Sequence, residues 1–380
     1  MVSKWNTAVS RRTVQLLALG LFAGLPAARA ALAQESERRL DIHGFGGWVY
    51  GRTNTNEFVS ANPDGSYGPI NFALNVTAFV TPKLTVIAQP EWRQGGELEV
   101  ELDYAFAEWA HSDELRFRIG RVKHPFGIYT EVFDVGTVRP FFDLPQSVYG
   151  ALAMVAEGYT GVGIRGTQPL GKWSLAYDAY LGGLDAPYDG APVDFLQGDE
   201  PDDAEEEENG FRDVVGGRVV VHLPLQGLSL GASGYTGRDG ENDDFTRHSV
   251  FGAQAEYLSN QWWVRTEVVR KVRAGSSSAN SFYGEVAYFV TPQWQIAGRH
   301  GFHLTKGVDG SLAPSLLDHR EWEAGVNYWV APEFVIKTSL HLIRGNRLAG
   351  PPGDELAATV AAGGLERNTR LFQAGAQFSF

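Results

Sequence analysis

Glu321 to Ile343 reads EWEAGVNYWVAPEFVIKTSLHLI. In its first half Trp322, Ala324, Val326 and Tyr328 alternate with Glu321, Glu323 and Asn327; after Ala331-Pro332, Phe334, Ile336, Leu340 and Leu342 alternate with Lys337 and His341. A period of two is the signature of a strand, and a short turn-forming break between two such runs makes a hairpin. Earlier segments repeat the pattern. Leu84, Val86 and Ala88 oppose Thr85, Gln89, Glu91 and Arg93, and Trp262, Val264 and Val268 oppose Arg265, Glu267 and Lys271. Two β architectures suit a strand with one apolar and one charged face. A soluble sandwich turns the apolar face inward. A membrane barrel turns it outward, because a charge at lipid depth costs roughly 2–4 kcal/mol, and keeps the charged face in a wet lumen. Tryptophans decide between them. Trp92, Trp109, Trp173, Trp262, Trp294, Trp322 and Trp329 fall near the ends of strands, where interfacial girdles place them, and not in mid-strand, where a sandwich would bury them.

The connections are more specific than any strand. Short turns at Thr81-Pro82-Lys83, Ser112-Asp113-Glu114, 168–171, 224–227, Ser259-Asn260, Thr291-Pro292 and Ala331-Pro332 alternate with mostly longer polar connections at 54–68, 94–96, 124–160, 183–210, 238–247, 274–281, 305–320 and 345–368. Seven turns interleaved with eight loops require sixteen strands, and an even strand count with short turns at one end and longer loops at the other is the pattern of bacterial outer-membrane barrels. The expected fold is all-β, a transmembrane antiparallel β-barrel over residues 34–380.

Composition agrees. The 380 residues include 45 glycines, 10 tryptophans and no cysteine, which excludes disulfides and thiolate metal sites. Residues 1–33 hold Lys4, Arg11, Arg12 and Arg29, no acid, an apolar run from Val14 to Leu25 and an Ala31-Leu32-Ala33 cleavage pattern, as a secretory signal does. Without them 28 basic residues face 45 acidic ones, a net charge of −17, which makes nucleic acid an unsuitable partner. Beyond the signal, no apolar run reaches the ~18 residues of a spanning helix, so any crossing must be made by strands closed into a barrel.

The stretch Arg121–Gly150, RVKHPFGIYTEVFDVGTVRPFFDLPQSVYG, breaks both periods. It is long, apolar and sparsely charged, and a segment of that kind needs an enclosure to fold into. The chain ends LFQAGAQFSF, with Phe372, Ala374, Ala376, Phe378 and Phe380 on one face. That terminal strand resembles the C-terminal signature of bacterial outer-membrane barrels. Gly120, Arg121, Lys123, Pro125, Phe126 and Gly127 resemble the G-[RK]-x-K-x-P-F-G strand end of porins related to the phosphate-selective porin O/P group. The resemblance implies a passive channel for small hydrophilic solutes and ions in the outer membrane. It also implies a loop at about 124–160 folded into the pore and a homotrimer among outer-membrane lipid and lipopolysaccharide. The lysine clusters that line phosphate pores are not present in this segment.

Candidate constriction residues are Lys123, Asp134, Arg139 and Asp143. Opposed charges in a narrow pore set ion preference, or the same charges tie the loop to the wall. Basic residues at lumen-facing positions are Arg93, Arg116, Arg118, Arg165, Arg218, Arg265, Lys271, Arg299 and Lys337. They form either an anion-guiding ladder or a network with Glu91, Glu101, Asp103, Asp178, Glu256, Glu267, Glu285 and Glu323. The ladder would select anions or organic acids. The acidic run Asp199–Glu208 has no EF-hand spacing and reads as a solvated outer loop. No histidine pair has metal-ligand spacing, and no cofactor motif or G-x-S-x-G elbow occurs, so no metal, cofactor or chemical step is expected. A lipid-hydrolysing barrel built on a Ser–His pair is the alternative of a different class.

Overall fold

The structure, a computed structural model, describes residues 39–59, 61–94, 98–150, 154–184, 211–239, 246–275, 277–306, 314–347 and 365–380. Residues 1–33, expected to be a signal, and the acidic run 199–208 lie outside the described residues.

Sixteen antiparallel strands close into one barrel. They are β1 (Leu40–Thr53), β2 (Ile70–Thr81), β3 (Leu84–Gln94), β4 (Leu98–Ala110), β5 (Arg116–Lys123), β6 (Gly158–Leu170), β7 (Trp173–Leu184) and β8 (Phe211–His222). The second half comprises β9 (Leu228–Asp239), β10 (Thr246–Leu258), β11 (Trp262–Arg273), β12 (Ser278–Phe289), β13 (Trp294–Lys306), β14 (Asp318–Ala331), β15 (Phe334–Arg344) and β16 (Asn368–Ser379). Each strand pairs with its sequence neighbours, and β16 returns to β1 with Gly46 opposite Phe378 and Trp48 opposite Ala376. The alternation of short turns and longer connections follows the sequence pattern. The long segment before β6 ends at Glu157, three residues earlier than expected, because Gly158 already pairs with Lys123.

The two faces are inverted relative to a soluble protein. On β14, His319, Glu321, Glu323 and Asn327 are buried, while Trp322 is 61% exposed. On β15, Lys337 is 1% exposed and Leu340 61%. Outward faces are continuous in Val, Leu, Ile and aromatics, with Trp109, Trp173, Trp262 and Trp294 exposed near the short-turn end. Such a surface suits surroundings as apolar as itself, and closure leaves no strand edge with unpaired backbone groups. Trp329 corrects the girdle assignment: it shares the inward face with Glu321 and Glu323 and is 9% exposed.

The seam between the chain ends is packed through glycine. A Cβ on Gly44 or Gly46 would strike the rings of Phe380 and Phe378, so the glycines of β1 make room for the C-terminal aromatics. Leu340→Arg should destabilise the barrel in a bilayer by about 2–4 kcal/mol, whereas Leu340→Val should cost well under half of that; reversible unfolding from lipid vesicles measures both.

Candidate pore constriction

The inward loop starts where β5 cannot continue. Pro125 has no N–H to donate, and Gly127 takes a φ of +62°, where a Cβ would strike Glu267 and the Tyr149 hydroxyl. His124 fixes the base, its Nδ1 3.0 Å from the carbonyl of Ala156 and its Nε2 2.5 Å from the hydroxyl of Tyr180. Burial pushes the His124 imidazole down to about 3, so it is neutral and one ring nitrogen donates while the other accepts. From there the described residues to Gly150, and again 154–157, run inside the barrel. They contain two single 3-10 turns, at Thr130–Val132 and Gly136–Val138, and one helical turn, α1 (Gln146–Tyr149).

The loop is held by the far wall, strand after strand. The Gly127 N–H donates to Ser233 Oγ of β9 at 3.0 Å, and the Ile128 N–H to Glu267 of β11 at 2.9 Å. The hydroxyl of Tyr129 donates to Glu285 of β12 at 2.6 Å, and that of Tyr149 to Glu267 at 2.5 Å. Asn327 of β14 donates to the carbonyl of Pro140 at 2.8 Å, Arg299 of β13 to that of Asp143 at 2.9 Å, and Gln373 of β16 to the Asp143 carboxylate at 2.6 Å. Lys337 of β15 donates to the carbonyls of Gly136 and Arg139 at 2.7 Å each and to Gln377 at 2.6 Å. Apolar residues fill the space between these ties: Phe126, Tyr129, Phe141, Val148 and Tyr149 are each 3% exposed or less.

This packing sorts the basic residues into two groups. Arg218, Arg265, Lys271, Arg299 and Lys337 face inward but are buried beneath or beside the loop, each at 9% exposure or less. The loop covers these five, so they do not form a ladder along open water. Arg299 is clasped by Glu323 and Glu285, Arg265 by Glu256 at 2.8 Å, and Arg218 by Asp178 at 3.0 Å and Glu131 at 2.6 Å. The Lys271 ammonium lies 5.6 Å from the centre of the Phe211 ring. The other group lies on the contiguous wall β3–β6. There Arg93 pairs with Glu91 at 3.0 Å, Arg116 and Arg118 share Glu108 at 3.0 and 2.8 Å, and Arg165 lies 3.5 Å from Glu131. The side chains of Arg93, Arg116 and Arg165 remain 39%, 44% and 36% exposed.

Of the four constriction candidates, Lys123 and Asp134 meet at 2.8 Å, and the same ammonium lies 2.9 Å from Asp103 and 2.6 Å from Glu157. One cation thus faces three carboxylates. Burial alone raises Asp134, but Lys123 outweighs it and holds the carboxyl below its usual range. Burial, with Asp134 alongside, pushes Glu157 up to about 7. Arg139 is corrected: it is buried, and its guanidinium donates to the carbonyl of Phe133 within the loop. Asp143 likewise serves as a tie through Gln373.

Beside the loop's free flank lies a cavity of about 400 Å³ lined by Asn75, Gln89, Tyr104, Lys123, Phe133 and Asp134, among others. Its polar wall is relayed from Asn75 to the hydroxyl of Tyr104 at 2.6 Å, and from that hydroxyl to Gln89 at 2.7 Å. The sequence reading missed this amide–hydroxyl wall, as well as the anchoring roles of Tyr129, Tyr149, Asn327 and Gln373. Uncharged hydrogen-bonding side chains leave no charge pattern to read. Lys337→Met should strand the carbonyls of Gly136 and Arg139 and cost about 1–3 kcal/mol. Amide hydrogen exchange should accelerate at 136–141 while the β14–β15 ladder stays protected.

No family model matches the chain, and no curated protein matches it in sequence. Solved structures do match in fold. OmpF of Salmonella typhi, in a complex with daunomycin, superposes with a TM-score of 0.58 at 12% identity over 90% of this chain and 97% of that one. An anion-selective porin from Comamonas acidovorans gives 0.57 at 12% identity over 90% and 99%. The outer-membrane channel DcaP of Acinetobacter baumannii gives 0.56 at 11% identity over 92% and 100%. The chain therefore has the fold of these proteins, an all-β, sixteen-stranded, closed antiparallel barrel of the porin type.

Proposed function

We propose that this chain is an outer-membrane porin, a passive diffusion channel for small hydrophilic solutes and ions. The observation that carries the reading is the inward loop: it is bonded to the wall from β8 to β16, is tied to β5 and β6 through Asp134 and Glu131, and has the cavity beside Phe133 and Asp134. Solutes then pass along the cavity, between that part of the loop and the wall of β2–β4. The kinship to the phosphate-selective O/P group rests on the Gly120–Gly127 motif alone, and this path has no lysine cluster beside Lys123. Residues 1–33 act as the export signal. Lipid and lipopolysaccharide contact the apolar outer face. A trimer form is known for OmpT of Vibrio cholerae, and a homotrimer is the assembly proposed here.

A channel also accounts for the Ser–His pairs better than an enzyme does. His341 Nε2 lies 2.8 Å from Ser339 Oγ and its Nδ1 2.7 Å from Glu321, the connectivity of a hydrolytic triad. Ser339 is 4% exposed, and the surrounding backbone is committed to the ladders of β14, β15 and β16, which leaves no oxyanion donors. The three groups read as wall structure.

A second reading, preference for anions or organic acids, has its own observation: three partly exposed arginines, with Arg118 beside them, lie on the free wall, and Arg116 and Arg118 share a single carboxylate. Purified protein in planar bilayers should give discrete conductance steps, and their absence would remove the channel reading. Under a salt gradient, replacing Arg116 and Arg118 together by alanine should move the reversal potential toward cations; an unchanged potential would remove them from selectivity.

The Lys123 cluster adds a pH dependence. Above about 7 Glu157 is ionised and adds its charge to the carboxylates around the Lys123 ammonium; below it Glu157 is protonated and the cluster is less negative. Lowering the pH from about 8 to about 6 should shift the reversal potential toward anions, and Glu157→Gln should reduce that shift.

A further inference from the structure

Three aromatic side chains face the lumen where no lipid calls for them. Trp263 of β11, Phe289 of β12 and Trp329 of β14 share the inward parity of Arg265, Glu285 and Asn327 on their strands, at the short-turn end and just beyond the level at which Pro140 is held. Their rings form one cluster. Centroids are 5.3 Å apart for Trp263–Phe289, 6.2 Å for Trp263–Trp329 and 6.1 Å for Phe289–Trp329. Trp263 and Phe289 are only partly buried, so the cluster keeps a face toward the lumen.

Hydrogen-bonding groups without protein partners lie on the same patch. Gln295 sits opposite both Phe289 and Asn327 in the ladder, and Trp329 is two residues beyond Asn327 on the same face. Gln295 Nε2, Asn327 Oδ1 and the Trp329 indole Nε1 are all buried without a hydrogen-bond partner, as is Nε of Arg139, the residue preceding Pro140. Gln295 and Asn327 are 0% exposed and Trp329 9%. Buried polar groups are ordinarily paired, so the orphaned atoms of Gln295, Asn327 and Trp329 beside one aromatic cluster point to a partner outside the chain. Two of these are donors and one is an acceptor. Flat rings beside neutral amides suit a solute with an apolar ring face and a hydroxyl-bearing edge.

We infer that Trp263, Phe289 and Trp329, with Gln295 and Asn327, form a subsite for neutral pyranose sugars at the short-turn mouth of the lumen. The sugar's C–H face stacks on the rings of Trp263 and Phe289, and its hydroxyls take up the indole N–H and the amides once the Trp329 and Gln295 side chains, buried in the unliganded wall, turn toward the lumen. No bond is made or broken; the subsite raises the residence of sugar beside the constriction. This deepens the channel reading and rests on it.

The test is single-channel recording of the full-length protein in planar bilayers, with maltotriose on the short-turn side and sorbitol as the ring-free polyol control. Maltotriose should interrupt the current in a saturable way, and sorbitol should not. Trp263→Ala should weaken the block by about tenfold, equivalent to 1.4 kcal/mol. Trp329→Phe, which keeps a ring and loses the N–H, should weaken it severalfold. Steady conductance with no saturable block, or a block that survives both substitutions, would overturn the subsite and leave the channel reading intact. Absence of conductance in the unmodified protein would overturn the channel reading on which the subsite rests.

Discussion

A charged wall enclosed by an apolar surface has to find its partners inside. Most of this structure follows from that constraint. The strands present apolar faces outward and Arg, Lys, Glu and His inward, and the barrel closes so that no backbone edge is left unpaired. The inner wall then carries charges and amides that water or protein must satisfy. On the arc from β8 to β16 the inward loop is a main partner. Arg299 and Lys337 illustrate the economy of this arrangement: each is 3% exposed or less, and each donates to loop carbonyls that would otherwise be orphaned. The loop gains its conformation from the wall, and the wall gains neutral or acidic acceptors for its cations.

The constraint also explains why one arc of the lumen differs from the other. On β3–β6 the arginines keep partial exposure, Arg116 and Arg118 share Glu108, and carboxylates gather around Lys123. The loop's apolar residues Phe126, Tyr129, Val148 and Tyr149 join one cluster with side chains of both arcs, among them Phe106, Val122 and Tyr159 on β4–β6 and Val250, Val269 and Tyr283 on β10–β12. Uneven distribution of charge across a narrow passage, not the net charge of the chain, is what a permeating ion would meet first.

Strand alternation and turn spacing were legible in the sequence because both are local. Trp322, Val326 and Leu340 could be assigned to the outer face from parity alone, and the count of sixteen strands followed from the interleaved turns. The inward course of the loop was legible from its apolar content. Its pairing was not. Whether Arg139 faced open water or the loop's own interior depends on which strands the tip reaches across the lumen, and separations such as that between Pro140 and Asn327 leave no trace in local pattern. Trp329 is a different case: its parity with Glu321, Glu323 and Asn327 is local, and only its position near a strand end resembles that of the outer tryptophans.

The account's central claim is that the segment after β5 lies inside the barrel and is bonded to β16 and its neighbours. The chain has no cysteine, so paired thiols report cleanly. A Cβ on Gly136 would touch the side chain of Gln377. Oxidation of Gly136→Cys/Gln377→Cys in folded, membrane-embedded barrels measures that proximity directly. The account expects a cross-link in high yield, with each single variant remaining a free thiol. Two freely alkylated thiols in the folded double variant would contradict it.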